Sequence, residues 1–306
     1  MAEIKFIPSS NPTDLERCIE ERMGIAPSET VIKKFANGET YINIKEDMRN
    51  KDVYIMPVTG ISVNDNLMEI YLKADSAKRM GAHRVVAIMP NFPYGRQERR
   101  IENGEPISAR LNLALLYSAG IDEIITTDMH APALQGFAWQ IRLTEVSSLN
   151  TMINYFKDKF LDPKNLVVVS PDLGGVKRAA RLANALDCER AVIYKHRSAH
   201  NVAKAENLLG NVQDKDVIIY DDIIDTAGTI TEAAKMVKAH GAKCVFICAS
   251  HGLFSGDALM KLSSCDVAEV VVSNSEHAPK QDLGIIKQVD ISEEIINVIQ
   301  SISASY

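Results

Sequence analysis

Short apolar runs alternate along the chain with longer segments in which apolar positions recur every three to four residues. The short runs are rich in β-branched residues and bounded by charges, as in strands that are buried on both faces. They predict strands at 53–58, 85–90, 123–127, 166–170, 191–194, 217–220, 244–249 and 269–273. The longer segments predict amphipathic helices at 66–80, 107–119, 176–186 and 227–240. This alternation indicates an α/β fold with parallel sheets and crossover helices.

A break near the middle of the chain indicates two domains. An Asp-Pro pair, Asp162 and Pro163, precedes a fresh strand, and the helix before it is predicted to begin near Ser147. The two halves have similar lengths and similar alternation, although their sequences are too different to prove a duplication. We predict an N-terminal domain over 1–147 and a C-terminal domain over 148–306.

The composition is that of an ordinary globular protein. The chain has 306 residues, of which 46% are hydrophobic and 24% charged, and its net charge is −6. No apolar run approaches the ~18 to 20 residues that cross a bilayer, and the N-terminus lacks the basic start and apolar core of a signal peptide. Five cysteines without a Cys-x-x-Cys pair argue against a disulfide framework and a zinc site. We therefore expect a cytoplasmic protein that binds neither membranes nor nucleic acid.

The stretch 217–230, VIIYDDIIDTAGTI, carries the strongest chemical signal. Asp221 and Asp222 are expected at the carboxyl end of a buried strand, where their acceptor oxygens match the vicinal hydroxyls of a ribose. Small residues then follow where a helix begins: Thr226, Ala227, Gly228 and Thr229. Backbone N–H groups at such a helix start suit a phosphate. An ordinary strand followed by a Thr/Asp-capped helix is the alternative, and the doubled Asp with Thr-Ala-Gly-Thr favours a phosphorylated sugar.

A second turn of the same type lies about fifty residues earlier, at 170–175. A Val-rich strand ends in Ser-Pro-Asp, and Gly174 and Gly175 then allow the backbone to approach an anion before a helix starts. A tight turn with no ligand is as good an explanation of this segment taken alone. Two phosphate-type turns at the carboxyl ends of strands are far less common.

Three further segments are candidates for binding, and each has a plainer alternative. Asp128 and His130 follow a strand, although a lone His is more often a structural group. The segment 92–100 carries three arginines, which most often marks a charged surface loop. Lys195 and Arg197 precede a polar stretch at 198–206 that looks like a mobile cationic flap, or else a solvated basic loop.

Ten short motifs, in one order along the chain, resemble those of the ribose-phosphate pyrophosphokinase (phosphoribosyl-pyrophosphate synthetase) family. They are FANGE at 35–39, NDNLME at 64–69, FPYGRQERR at 92–100, PISA at 106–109, TDMHA at 127–131, LQGF at 134–137, SPDLGGVKRA at 170–179, KHR at 195–197, the loop at Asp221 and HGLFSG at 251–256. The resemblance runs from about Lys33 to about Asp290. The loop at Asp221 itself resembles the phosphoribosyl-pyrophosphate loop of the type I phosphoribosyltransferase fold.

The resemblance implies two related parallel-sheet domains of phosphoribosyltransferase type, with the last helix, at about 292–301, packed back on the first. It implies transfer of the diphosphoryl group of Mg-ATP to the C1 hydroxyl of ribose 5-phosphate, giving phosphoribosyl pyrophosphate and AMP. Mg²⁺ is the implied cofactor, and ATP and ribose 5-phosphate are the implied partners. A homo-oligomer built on dimers is also implied, with a hexamer as one option and an active site shared between subunits.

Each motif carries implied roles for its residues. Lys195 and Arg197 would stabilise the transition state, because phosphoryl-type transfer needs positive charge and in-line positioning more than a strong base. The implied ATP-binding residues are Phe35, Asn37, Glu39, Arg96, Gln97, Arg99 and His130. The implied ribose 5-phosphate residues are Asp221, Asp222, Asp225, Thr226, Ala227, Gly228 and Thr229. The implied pyrophosphate loop is Asp172, Leu173, Gly174 and Gly175, and the implied metal environment is His130 and Asp172.

Rival functions differ in which segments they need. A phosphoribosyltransferase would use the same loop at Asp221 but would not need Phe35, Arg96 or a second domain. A non-catalytic regulatory paralogue would have lost the cations of the flap. A nucleotide-dependent dehydrogenase and a Walker-type kinase are disfavoured, because the chain has neither Gly-x-Gly-x-x-Gly nor Gly-x-x-x-x-Gly-Lys-Ser/Thr.

The chain departs from the family pattern at a regulatory anion site. Many members bind phosphate or ADP there through a Ser two residues before an Arg and through a second Arg. Here the first Arg is Arg49, but the Ser position is Asp47, and Gly104 beside Glu105 takes the place of the second Arg. A one-residue slip in the alignment, or substitution by other side chains, is the alternative. We predict that phosphate-dependent activation is absent.

Overall fold

The computed structural model describes residues 2–57, 59–60, 62–160, 162–196 and 205–304. In chain order its strands are β1 (Ile4–Ile7), β2 (Thr30–Lys34), β3 (Thr40–Ile44), β4 (Asp52–Ile55), β5 (Arg84–Ile88), β6 (Glu123–Thr127), β7 (Arg142–Val146), β8 (Leu166–Ser170), β9 (Glu189–His196), β10 (Ala205–Leu209), β11 (Asp216–Ile224), β12 (Cys244–Gly252), β13 (Glu269–Ser273) and β14 (Ile286–Val289). Its α-helices are α1 (Asp14–Met23), α2 (Val63–Arg79), α3 (Ser108–Ser118), α4 (Leu149–Lys159), α5 (Val176–Ala185), α6 (Gly228–Ala239), α7 (Ala258–Ser263) and α8 (Ser292–Ala304).

The chain divides into two compact units. Unit 1 consists of Met1–Ser147, Asn274–His277 and Ile291–Tyr306, and unit 2 of Ser148–Ser273 and Ala278–Asp290. The sequence-based division at 147/148 therefore differs from these units in two segments, 274–277 and α8, which the contacts place in unit 1.

Unit 1 is a five-stranded parallel sheet with helices on both faces. The strand order is β1-β4-β5-β6-β7, and β2 and β3 form a separate antiparallel hairpin. Alternate strand residues point to opposite faces, so Val53 and Val85 pack with α2 and α3, whereas Tyr54 and Val86 pack with α1 and α8. Both faces are therefore covered by apolar cores, as is usual for parallel sheets.

The last helix is fastened to the sheet of unit 1 at its carboxyl end. The Tyr54 hydroxyl lies 3.3 Å from the Ile299 carbonyl and 3.1 Å from Ser303 Oγ. Arg84 Nη1 donates to the Ile302 carbonyl at 3.0 Å. The last four carbonyls of a helix lack partners within it, and the bond from Arg84 satisfies one of them, that of Ile302.

Unit 2 is a seven-stranded sheet of order β10-β9-β8-β11-β12-β13-β14. All neighbours are parallel except β9 and β10. Helices α4 and α5 cover one face through residues such as Phe156 and Leu182, and α6 and α7 cover the other through residues such as Ile230 and Leu262. The carboxyl ends of β8, β11 and β12 lie at one edge of this sheet.

Several predicted elements have other bounds in the structure: β4 and β5 end earlier than predicted, at Ile55 and Ile88, whereas β9 and β12 extend further, to His196 and Gly252. Two further differences affect the candidate site. Strand β11 does not end at Tyr220, because its pairing with β12 continues to Ile224 opposite Gly252, so Asp221 and Asp222 lie within the strand. The polar segment predicted over 198–206 is shorter at its end, since Ala205 already pairs with His196 in the β9–β10 ladder. Within the described ranges, no helix is both long and apolar enough to span a bilayer.

Candidate active site

The turn after β11 leads into a helix whose N-cap residue is an alanine. Asp225, Thr226 and Ala227 connect the strand to α6, and Ala227 adopts a left-handed backbone conformation with φ 59°. As the N-cap residue, Ala227 has no side-chain acceptor for the first N–H groups of α6, and Thr226 and Thr229 beside it are both exposed. The backbone N–H groups at a helix start and the helix dipole together favour an anion at this position.

A neighbouring loop holds the backbone of this turn from behind. Leu253 and Phe254 donate their N–H groups to the Ile224 carbonyl at 2.9 and 3.2 Å, and Ser255 donates to the Asp225 carbonyl at 2.9 Å. Lys261 Nζ, on α7, donates to the Thr226 carbonyl at 3.1 Å. The HGLFSG motif therefore supports the turn. The sequence had assigned no role to Lys261.

Asp221 and Asp222 share one cation. Arg178 Nη1 lies 3.3 Å from Asp221 Oδ1 and 3.3 Å from Asp222 Oδ1, and all three side chains are largely covered. The Asp222 N–H also donates to Asp221 Oδ1 at 2.9 Å. Burial, reinforced by the adjacent Asp222 carboxylate, raises the pKa of Asp221 to about 7 against the opposing effect of Arg178. Arg178 was not among the predicted site residues.

The turn after β8 is folded tightly around Asp172. Ser170 Oγ donates to the Asp172 carbonyl at 2.7 Å, and the Gly175 N–H donates to Asp172 Oδ1 at 2.9 Å. A Cβ at Gly175 would lie 2.8 Å from Ser170 Oγ, so a larger residue there would displace the hydroxyl that bonds the Asp172 carbonyl. Leu173 at the tip is 69% exposed. Because β8 and β11 are neighbours, both phosphate-type turns of unit 2 lie at the same sheet edge.

The donor set in this turn can be compared with the needs of a hard cation. Among the described residues, no group of three or more His, Cys, Asp or Glu side chains gathers as a metal cage. Mg²⁺ keeps several waters and substrate phosphates as ligands, so it needs only one or two carboxylates. Asp172 is exposed at the loop and offers such a carboxylate, which fits that mode of binding.

In unit 1 the hairpin tip between β2 and β3 is wholly exposed. The Phe35 N–H donates to the Glu39 carbonyl at 2.8 Å, and Asn37 Oδ1 accepts from the Glu39 N–H at 3.2 Å. The Phe35 ring, 49% exposed, meets the Tyr41 ring edge-on at 5.8 Å between centroids. The tip therefore presents an aromatic face and two polar side chains away from the core of its own unit.

The segment after β5 is a compact turn that leads into α3. The Gly95 N–H donates to the Phe92 carbonyl at 3.2 Å, and Tyr94 has a positive φ of 63°. Gln97 joins this turn to the helix: its Oε1 accepts from the Ser108 hydroxyl at 2.7 Å, and its carbonyl accepts from the Ala109 N–H at 3.3 Å. Arg96 and Arg99 are exposed on the same segment, and Arg99 lies 3.5 Å from its neighbour Glu98.

His130 lies at the carboxyl end of the adjacent strand, β6. Asp128 has a φ of 39°, and its carboxylate accepts from Ser147 Oγ at 3.0 Å. The Met129 N–H donates to Glu145 at 2.9 Å, which fixes the backbone before the exposed His130. The Thr127 N–H donates to the Pro90 carbonyl at 2.8 Å. The segments carrying Arg96 and His130 thus begin beside each other at one edge of the unit 1 sheet.

The candidate flap residues are only partly covered by the structure. The backbone of Lys195 lies in β9 and pairs with Glu206 of β10. Arg197 lies outside the described residues.

The two segments in which the chain departs from the family's regulatory anion site, at Asp47 and Gly104, are exposed turns. Asp47 Oδ1 accepts from the Arg49 N–H at 3.1 Å. Gly104 adopts a φ of 93°, and the Glu105 carboxylate accepts from the N–H groups of Ile101 and Glu102 at 2.6 and 3.0 Å. These backbone bonds lower the pKa of Glu105. The carboxylates at these two positions therefore help to shape the turns that carry them.

Comparisons with known proteins cover nearly the whole chain. A family model described as the N-terminal domain of ribose phosphate pyrophosphokinase matches residues 4–120, and one described as a phosphoribosyl transferase domain matches residues 147–272. The ribose-phosphate pyrophosphokinase of Fusobacterium nucleatum is 38% identical over 301 residues, which are 98% of this chain and 95% of that protein. That of Bacillus caldolyticus is 40% identical over 279 residues, 91% of this chain and 88% of that protein.

One solved structure superposes over the full length. The crystal structure of phosphoribosylpyrophosphate synthetase from Mycobacterium smegmatis matches with a TM-score of 0.93 and 31% identity, over 99% of this chain and 100% of that one. The matched part of the chain includes residues of both units.

Proposed function

This chain belongs to the ribose-phosphate pyrophosphokinase family, and we propose that it transfers the diphosphoryl group of Mg-ATP to ribose 5-phosphate. The C1 hydroxyl attacks the β-phosphorus, the bond between that phosphorus and the oxygen bridging to the α-phosphorus breaks, and AMP leaves. The products are phosphoribosyl pyrophosphate and AMP. The observation that carries the proposal is the pair of phosphate-type turns after β8 and β11, which flank Asp221 and Asp222 at one sheet edge.

The two turns of unit 2 hold different phosphate groups. The 5-phosphate lies against the start of α6, on Thr226 to Thr229, with Asp225 preceding it. The ribose hydroxyls donate to Asp221 and Asp222. The diphosphate that is transferred lies against 172–175, where glycine lets backbone N–H groups approach it.

Unit 1 supplies the nucleotide contacts. Arg96, Gln97, Arg99 and His130 bind the ATP phosphates and ribose. The exposed tip of the hairpin, with Phe35, Asn37 and Glu39, reaches the adenine of a neighbouring subunit, because an aromatic face can stack and polar groups can read the base edge. The functional unit is therefore a homo-oligomer.

Charge stabilisation completes the proposed mechanism. Lys195 and Arg197 stabilise the negative charge that spreads over the phosphoryl oxygens in a loose transition state. Asp172 would hold Mg²⁺ together with the phosphates, and the bound ion would neutralise phosphate charge. No general base is assigned.

The test is release of AMP from ATP, measured with and without ribose 5-phosphate. We expect AMP to appear only with ribose 5-phosphate and in equal amount to phosphoribosyl pyrophosphate. Asp222→Asn should lose this activity, whereas Asp216→Asn, at the other end of β11, should retain it. AMP release that ignores ribose 5-phosphate, or consumption of phosphoribosyl pyrophosphate with a free base instead, would contradict the proposal.

A further inference from the structure

Arg178 lies between the two phosphate-type turns of unit 2. It is the third residue of α5, the helix that follows the turn after β8, and its side chain crosses to β11. A Cβ built on Gly175 would lie 3.8 Å from Arg178 Nη1, so the guanidinium also borders the backbone of that turn. Its side chain is 23% exposed, which indicates a fixed group rather than a solvated one.

We propose that Arg178 is a positioning residue for the sugar: its guanidinium holds Asp221 and Asp222 in the orientation that accepts the ribose hydroxyls. This inference rests on the proposed function. One nitrogen lies at the same distance, 3.3 Å, from an Oδ1 of each carboxylate. The guanidinium therefore aligns two adjacent side chains that strand geometry would otherwise point to opposite faces.

The positive charge of Arg178 also affects the binding of the sugar phosphate at this site. Two adjacent carboxylates repel each other and would also repel a substrate that carries a phosphate. Above the raised pKa of Asp221, about 7, both carboxylates are ionised, and Arg178 changes the net charge of the three side chains from −2 to −1. Without Arg178 the pKa of Asp221 would rise further, so that one carboxyl group would stay protonated or turn away and a hydroxyl of the sugar would lose its acceptor.

A purely structural ion pair is the competing explanation, and the two differ in what Arg178→Gln should do. If Arg178 has a positioning role, Arg178→Gln should weaken the binding of ribose 5-phosphate and leave the binding of ATP unchanged. If Arg178 has only a structural role, Arg178→Gln should lower the melting temperature and weaken the binding of both substrates equally. Arg181, one turn further along α5 and exposed, provides a matched control on the same helix.

The experiment titrates ribose 5-phosphate alone by calorimetry into the unmodified protein, Arg178→Gln, Arg178→Lys and Arg181→Gln. KM values for both substrates are measured in parallel. We expect Arg178→Gln to raise the dissociation constant of ribose 5-phosphate ~10- to 100-fold, which is the range for loss of a charged hydrogen bond. The KM for ATP should not change. Arg178→Lys should recover part of the loss, since it restores charge without the planar fork. Arg181→Gln should behave as the unmodified protein.

A double variant tests the link to the carboxylates. If Arg178 acts through Asp221, adding Asp221→Asn to Arg178→Gln should weaken ribose 5-phosphate by less than the product of the single effects. Unchanged affinity in Arg178→Gln, or equal weakening of both substrates by the Gln and Lys variants, would overturn the inference alone. Absence of ribose 5-phosphate binding by the unmodified protein would overturn the proposed function and this inference with it.

Discussion

The side-chain amide of Asn91 donates a 2.9 Å hydrogen bond to Glu276 Oε1, although 185 residues separate them in the chain. Asn91 follows β5 and opens the segment that carries Arg96, and Glu276 belongs to the short stretch 274–277 that returns to unit 1. The Glu276 side chain also accepts from the Gly60 N–H, beyond the end of β4. One buried carboxylate thus joins the ends of two neighbouring strands beside the proposed nucleotide contacts.

This carboxylate should make stability depend on pH. Burial raises the pKa of Glu276 from the ordinary 4.5 to about 7, against the opposing hydrogen bonds. Between those values the folded chain binds more protons than the unfolded chain, so stability falls as pH rises through this window. The full penalty, reached above pH 7, is up to about 3 kcal/mol.

Glu276→Gln keeps an acceptor for Asn91 without the charge, so it should raise the melting temperature at pH 8 and change it little at pH 5. Thermal unfolding at both pH values measures this difference. Glu102→Gln, at an exposed turn, controls for removal of a surface charge. Melting curves of the Glu276 variant that run parallel to the unmodified protein at all pH values would refute the assignment.

The sequence could predict the local chemistry of the turns but not the groups that reach them from elsewhere. The family resemblance is confirmed, as is the parallel α/β fold, because apolar runs and turn residues are local patterns. The contact of Arg178 with Asp221 and Asp222 could not be predicted from the sequence, because it depends on β8 and β11 being neighbours in the sheet. A basic residue in the first turn after a glycine-rich anion loop was the signal that could have revealed it.

The Asn91–Glu276 hydrogen bond could not be predicted from the sequence either, because it joins residues that are far apart in the chain. Nothing local marks a Glu after β13 as a buried residue of unit 1, since Glu is rarely buried. The extension of β11 to Ile224 was missed because charged Asp221 and Asp222 resemble the end of a strand. Their pairing with β12 overrides that local preference.

Ala227 should limit which residues the turn before α6 accepts. It is 4% exposed and has a φ of 59°, a conformation that costs β-branched residues most. We expect Ala227→Val to lower the free energy of unfolding by ~1 to 3 kcal/mol and to weaken ribose 5-phosphate. Ala227→Gly, which tolerates this φ, should have little effect on stability. Urea unfolding of both variants distinguishes them, and equal stability would show that the backbone is not strained.

The hydroxyl of Thr229 should contribute to binding of the 5-phosphate. Thr229→Val removes an exposed donor at the helix start, so we expect the KM for ribose 5-phosphate to rise by an amount equivalent to ~1.5 to 3 kcal/mol, with ATP binding intact. Thr231→Val is the matched control, because the Thr231 hydroxyl donates instead to the Ala227 carbonyl at 2.8 Å. That variant should lower the melting temperature. If Thr229→Val lost affinity for ATP and kept its affinity for ribose 5-phosphate, the turn at Thr229 would have to be assigned to ATP instead of the 5-phosphate.

Lys195 should act mainly in the transition state. Comparable cations in other phosphoryl-transfer enzymes contribute ~10³ to 10⁵ in rate, so Lys195→Ala should lower kcat by that order and change both KM values little. Lys287→Ala, on the exposed side of β14, controls for the loss of a surface lysine. Steady-state rates with each substrate varied give the separation. A near-normal kcat would remove Lys195 from the proposed mechanism.

The turns at Asp47 and Gly104 predict how the enzyme responds to phosphate and ADP. The regulatory anion site that the family resemblance implies needs cations, whereas here Asp47 stands two residues from Arg49 and Glu105 stands beside Gly104. Both carboxylates accept backbone N–H groups of their own turns, so they are held in place rather than free to turn away. Like charges at close range disfavour binding of an anion.

We therefore expect full activity without added phosphate and ADP inhibition that is competitive with ATP. Initial rates in a phosphate-free buffer, with ADP varied against ATP, measure both properties. Asp47→Ser together with Gly104→Arg should restore part of a phosphate response, because the pair removes one carboxylate and adds one cation. Asp47→Asn alone serves as the control for loss of charge without a new cation. A strict requirement for phosphate in the unmodified protein, or ADP inhibition that saturating ATP does not relieve, would show that an anion site persists at these turns.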